Sequence, residues 1–103
     1  MKQFDVCENL LAPTSQRAPF LLILQSDFLS EVPVRLVAPL VRTAEISAIK
    51  KLNPEFLITG KRFVLSTLEL MSVRRSLIGR KVADLQSERD KIVVAIDMLF
   101  TGF

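Results

Sequence analysis

DLQSERDKIVVAIDMLFTGF, residues 84–103, is the stretch whose reading decides the fold, because it is the one long segment with a helical period. From Leu85 onward, Leu85, Ile92, Ile96, Leu99 and Phe103 fall near one helical face, and Val93 and Phe100 widen it. Asp84 or Ser87 is a candidate N-terminal cap, and Ser87 with Asp90 has capping-box spacing. Acidic residues sit early, where the helix dipole favours them, and Gly102 is the expected stop.

Upstream of this helix the pattern shortens. Residues 3–7 alternate polar and apolar, which predicts a strand with Phe4 and Val6 on one face. Residues 8–17 carry Asn9, Pro13, Thr14, Ser15 and Gln16 and read as a loop. Residues 18–24 form an apolar run and predict a buried strand, broken by Gln25, Ser26 and Asp27. Phe28 and Leu29 then fall in a loop before Pro33. Residues 34–38 predict a strand stopped by Pro39, which has no N–H for a ladder. Residues 41–52 suit either a short helix or an irregular connection, ended by Pro54. Residues 55–59 and 62–66 flank Gly60 and Lys61, the chemistry of a type II′ hairpin. Residues 68–73 predict another strand, and Gly79 marks a turn. Short strands followed by one C-terminal helix, with no repeat or linker, suit a single α+β domain over residues 1–103.

Composition bounds the function. Of 103 residues, 50% are hydrophobic, so a core is attainable, but a chain this short gains from dimerisation. The net charge of +3 is too small to argue for nucleic acid and suits an acidic protein partner equally well. The sequence has no His, so it lacks a Ser-His-Asp or Cys-His set and a His-bearing zinc site. Cys7 is the single cysteine; it reads as a small core residue and rules out an internal disulfide. These residues offer no His-based catalytic set, and neither a cofactor nor a metal is expected from them. The start lacks a signal peptide's apolar stretch, and the apolar run at residues 20–24 is too short to cross a bilayer, so a cytoplasmic protein with no membrane partner is expected.

The residue string carries a resemblance. Gln3-Phe4 with Val6, the apolar lead into Gln25-Ser26-Asp27, Pro39-Leu40, and Ser76 with Ile78-Gly79 stand in one order. Val82-Ala83-Asp84-Leu85, Ala95-Ile96, Phe100 and Gly102 follow. Over nearly its whole length the chain resembles the CcdB toxin family. That resemblance implies a mainly antiparallel sheet of the SH3-like barrel CcdB/MazF type with a C-terminal helix, assembled as a two-fold homodimer. It also implies the toxin of a type II toxin–antitoxin pair, which binds the DNA gyrase A subunit and traps the enzyme on cleaved DNA by contact alone. A CcdA-like antitoxin would neutralise it, and the pair would act as repressor of its own operon, reaching operator DNA only as that complex.

Carried over by position, the family's gyrase contacts fall on Phe28, Leu29, Asp97, Phe100, Thr101, Gly102 and Phe103. Thr101 stands where the best-known members carry Trp, Asp97 where the family has Asn, and Phe103 replaces an aliphatic residue. From pattern alone Phe28-Leu29 suit the core as well as a contact surface, whereas Phe100 and Phe103 lie on a helical stripe that suits the core better, with the terminal position of Phe103 favouring exposure or a dimer contact. Arg74, Arg75, Arg80 and Lys81 are either solvated surface or a landing site for an acidic antitoxin tail. Two other functions follow from the same residues. Thr101 raises a homologue that no longer poisons gyrase and serves as a regulatory or decoy antitoxin-binding protein. The shared fold raises a MazF-like endoribonuclease, for which the sequence holds no motif.

Overall fold

A computed structural model describes residues 1–11, 14–43 and 49–102. Its strands are β1 (Asp5–Asn9), β2 (Phe20–Ile23), β3 (Val34–Arg42), β4 (Glu55–Ile58), β5 (Lys61–Leu65), β6 (Met71–Arg74) and β7 (Ile78–Asp84), followed by helix α1 (Arg89–Thr101). The strands pair antiparallel in the order β4-β5-β3-β2-β1-β7, and β6 also pairs with β3, giving a curled half-barrel sheet.

Period-two alternation puts apolar side chains on both sheet faces. Val6, Leu22, Ala38, Leu40, Phe56, Ile58, Phe63 and Leu65 meet Leu85 and Ile92 of the helical segment on one face. The alternate positions Cys7, Leu21, Ile23 and Val37 join Val73 and Ile78 on the other. A sheet centre buried on both faces explains why β2 is an unbroken apolar run. The helical stripe predicted from residue 85 supplies the cover: Ile92 and Ala95 are buried and Ile96 is partly so. Each aliphatic side chain buried there contributes about 1.5–3 kcal/mol of transfer free energy.

Pro39 does not stop β3; the strand runs on to Arg42. The reason is that β3 serves two partners along one side, residues 34–37 with β6 and residues 40–42 with β5. The carbonyl of Pro39 accepts the Ser66 N–H at 2.9 Å on that side. The missing N–H therefore falls at the junction between the two partners, where the ladder needs no donor.

Other boundaries shift for local reasons. Phe4 has φ 70°, outside the strand region, and is held by its N–H to Ile23 O at 2.6 Å and by Leu85 N–H to its own carbonyl at 2.8 Å. β1 therefore starts at Asp5 and extends into the predicted loop as far as Asn9. The hairpin pairs Ile58 with Lys61, so its two loop residues are Thr59 and Gly60, at φ 51° and 82°. Two left-handed residues make a type I′ turn, one position earlier than the predicted II′ turn. Thr67–Glu69 form a 3₁₀ turn, which confines β6 to the second half of the predicted strand. Gly79 lies inside β7 and not at a turn. Before α1, Gln86–Glu88 form a 3₁₀ turn in which Asp84 Oδ1 accepts the Gln86 N–H at 3.2 Å. The helix then starts at Arg89 without a side-chain cap, so the Ser87–Asp90 capping box does not form. Gly102 ends it as expected, left-handed at φ 83°, with its N–H on Met98 O at 3.0 Å. Of the helix-or-loop expectation for residues 41–52, residues 44–48 lie outside the described residues; Val41 and Arg42 extend β3, and residues 50–53 turn.

Candidate partner-binding surface

The segment after β2 turns because Ser26 can cap it. Its Oγ accepts the Phe28 N–H at 3.2 Å, and backbone bonds from Leu29 to Ser26 and from Ser30 to Asp27 close a 3₁₀ turn over Asp27–Leu29. Among the described residues no apolar layer covers this turn. Phe28 is 98% exposed and Leu29 51% exposed, so neither folds under the core.

The other candidates sit at the end of α1. The apolar stripe loses its cover along the helix: Ile92 is buried, Ile96 half-buried, and Phe100 69% exposed. Asp97, Thr101 and Gly102 are also exposed, and Thr101 Oγ1 donates back to the Asp97 carbonyl at 2.6 Å. Phe103 lies outside the described residues. Between α1 and the sheet runs an apolar groove of about 200 Å³, lined by Phe4, Leu24, Leu36, Leu70, Ile96 and Phe100, with Gln3, Arg89 and Asp97 also on its walls. The guanidinium of Arg89 lies 5.7 Å from the centre of the Phe4 ring.

Gln3 joins the two segments. It lines this groove and also the hollow formed by Ser26, Asp27 and Phe28. Its N–H donates to Asp27 Oδ1 at 2.8 Å, its side-chain amide donates to Leu24 O at 3.1 Å, and its carbonyl accepts from the Gln86 side chain. Through Gln3 the hollow at Phe28 thus adjoins the groove at the end of α1, although some 70 residues separate the two segments in the chain. Gln3 and Leu36 belong to this surface without having been among the predicted residues. Gln3 stood in the sequence as the polar neighbour of Phe4 in an alternating strand, which gives no sign of the contacts it makes across the fold.

The basic residues divide into two pairs. Arg80 stands 3.9 Å from Glu8, while Lys81 lies 3.3 Å from the buried carboxylate of Asp5 and 3.8 Å from Asp84. Arg74 and Arg75 are exposed, make no ion pair among the described residues, and line an open hollow with Glu31, Pro33, Val34 and Ser76. The structure therefore does not gather the four into one patch of free charge. Cys7 lies buried in the second core cluster, and its burial pushes the thiol up from its ordinary value. Among the described residues, no group of three or more His, Cys, Asp or Glu could hold a metal ion. No helix there is long and apolar enough to cross a membrane.

A search of curated proteins finds no match to the chain. The profile of the family described as CcdB protein matches residues 3–102. That span takes in every strand, the helix and both halves of the surface around Gln3, and on this ground the chain belongs to the CcdB family of toxins from toxin–antitoxin pairs.

Proposed function

We propose that this toxin binds the DNA gyrase A subunit and holds gyrase on cleaved DNA, by contact and without catalysis of its own. The observation that carries the reading is Phe28, almost wholly exposed on a hydrogen-bonded turn, on the same surface as the exposed Phe100. Single exposed apolar residues are ordinary, but Phe100 on the apolar groove and Phe28 on the adjoining hollow, with Gln3 common to both, have the make-up of a binding hot spot. In a two-fold homodimer each surface would occur twice, which suits a partner that is itself symmetric. The proposed setting is the cytoplasm, where gyrase acts.

A CcdA-like antitoxin with an acidic, partly disordered tail is the proposed neutralising partner, and operator DNA is met through that complex. Arg74 and Arg75 are the better candidates for its landing site, because Arg80 and Lys81 already face carboxylates. Thr101 supports a second reading. Its small side chain is turned back onto the helix and offers no large apolar anchor, as a regulatory or decoy homologue that spares gyrase would have it.

Purified protein incubated with gyrase, ATP and plasmid decides between the two. Trapped cleavage complexes that diminish with Phe28→Ala uphold the poison. Absence of cleavage together with retained binding of the antitoxin's C-terminal peptide favours the regulatory protein. Cleavage of a parallel RNA sample, with gyrase unaffected, would overturn both.

A further inference from the structure

Arg35 is the one charged residue of the stretch Val34–Ala38, second in it, and is only 3% exposed. Its guanidinium meets no carboxylate among the described residues. Nη2 donates to Ser30 O at 2.7 Å, and Nη1 donates to Val34 O at 2.9 Å and to Val32 O. Gln25, at the other foot of the same loop, donates to Leu29 O at 3.1 Å and to Val34 O at 3.3 Å, while its Oε1 accepts the Leu36 N–H at 3.1 Å. Two side chains therefore tie down the carbonyls of residues 29, 30, 32 and 34. These are the groups that water would otherwise compete for in a surface loop.

We infer that Arg35 and Gln25 are positioning residues: they clamp the loop so that Phe28 and Leu29 stay projected into solvent, ready for a partner. The inference rests on the gyrase reading for the identity of that partner. A loop carrying an exposed Phe would otherwise gain by folding the ring back onto apolar surface, and a partner would then have to reorder it on binding. Arginine is the side chain suited to this task. Its planar fork presents several N–H groups in fixed directions, and it stays charged when buried. Lysine offers one nitrogen and cannot span three carbonyls.

Wild type, Arg35→Lys, Gln25→Ala and Phe28→Ala are compared by amide hydrogen exchange, by limited chymotryptic cleavage beside Phe28, and by titration against a gyrase A fragment. In Arg35→Lys and Gln25→Ala the amides of Leu29, Ser30 and Val32 exchange about tenfold faster while those of α1 exchange as in wild type, and cleavage quickens. Gyrase affinity falls about tenfold in both, the scale expected when an ordered segment must be reordered on binding. Phe28→Ala loses affinity with loop exchange unchanged. Should Arg35→Lys fail to fold, Gln25→Ala carries the same comparison alone. Unaltered loop exchange in the clamp variants overturns the clamp, and faster loop exchange with full gyrase affinity overturns the positioning role. Failure of wild type to bind gyrase removes the gyrase reading instead, and the exchange and cleavage results then uphold or overturn the clamp by themselves.

Discussion

Arg17 and Glu69 meet in a forked pair, Nη1 to Oε1 at 3.1 Å and Nη2 to Oε2 at 2.9 Å, joining the loop before β2 to the 3₁₀ turn before β6. The Arg17 hydrogen bond, and after it that from Ser66, holds the Glu69 carboxyl below its ordinary value of 4.5. A carboxyl depressed in the folded state contributes stability that is present above the ordinary value and lost as pH falls through the folded one. Both side chains are partly open to solvent, so the contribution is at most about 1 kcal/mol. Urea unfolding should show Arg17→Gln less stable than wild type at pH 7, with the gap closing as pH falls below the carboxyl's ordinary value of 4.5 and on through its lower folded one. A gap that persists once the carboxyl is protonated would assign the effect to packing of the Arg17 stem.

Gly79 lies inside β7 because β1 passes too close for a side chain. A Cβ there would stand 2.8 Å from Glu8 Cβ and 3.2 Å from the Glu8 carbonyl oxygen. The β1–β7 register shifts at this place, from Cys7 opposite Lys81 to Asn9 opposite Ile78. Gly79→Ala should lower the urea midpoint by about 1–3 kcal/mol equivalent, the usual cost of overpacking, with an unchanged denaturant slope.

Thr59 occupies the first left-handed position of the β4–β5 turn, where a β-branched residue is strained. Asn tolerates that conformation and with Gly60 makes the favoured pair for a type I′ turn. Thr59→Asn should stabilise the protein by about 0.5–1 kcal/mol, read as a rise in Tm. An unchanged or lower Tm would mean that the lost Thr59 hydroxyl bond to Ile58 O, 2.7 Å long, outweighs the relief of strain.

Cys7 lies under the sheet curl with its thiol pushed up, first by burial and then by the charge of Asp5. Reactivity follows thiolate character and access, and both are poor here. An aromatic disulfide reagent at pH 7.5 should modify native protein at least about 100-fold more slowly than unfolded protein, and the rate should rise along the urea transition. Rapid modification without urea would show that β1 and β7 separate locally.

Thr101→Trp should tighten binding to a gyrase A fragment by about 30- to 1000-fold, the range for restoring a large aromatic anchor. Gly102→Glu should weaken it. Among the described residues, its chain neighbours and the helix backbone aside, no atom lies within 4 Å of a Cβ built on Gly102, so the folding cost is conformational, from φ 83°, and is about 1 kcal/mol. Calorimetric titration of both variants checks this. If wild type already binds as tightly as Thr101→Trp, the anchor lies elsewhere on the surface, with Phe28 the first to test.

Local periodicity determined what a single element decides for itself. The helical stripe from Leu85, the apolar strand at residues 20–23 and the stop at Gly102 were legible because apolar spacing and the glycine preference for left-handed φ act within one segment. The order of family-like residues from Gln3 to Gly102 was legible too, and it led to the family that the profile match shows. Tertiary structure decided the remainder. Whether Pro39 ends a strand depends on two partner strands far along the chain, and whether Gly79 is a turn or a close approach depends on Glu8. By pattern Phe28 suits core or surface alike and Phe100 suits the core better, yet both are exposed, because exposure depends on what other segments pack above a residue. Arg35 carried no motif at all: its role comes from carbonyls that converge only once the loop before β3 has closed, and hydrogen-bond partners of that kind leave no period in the sequence.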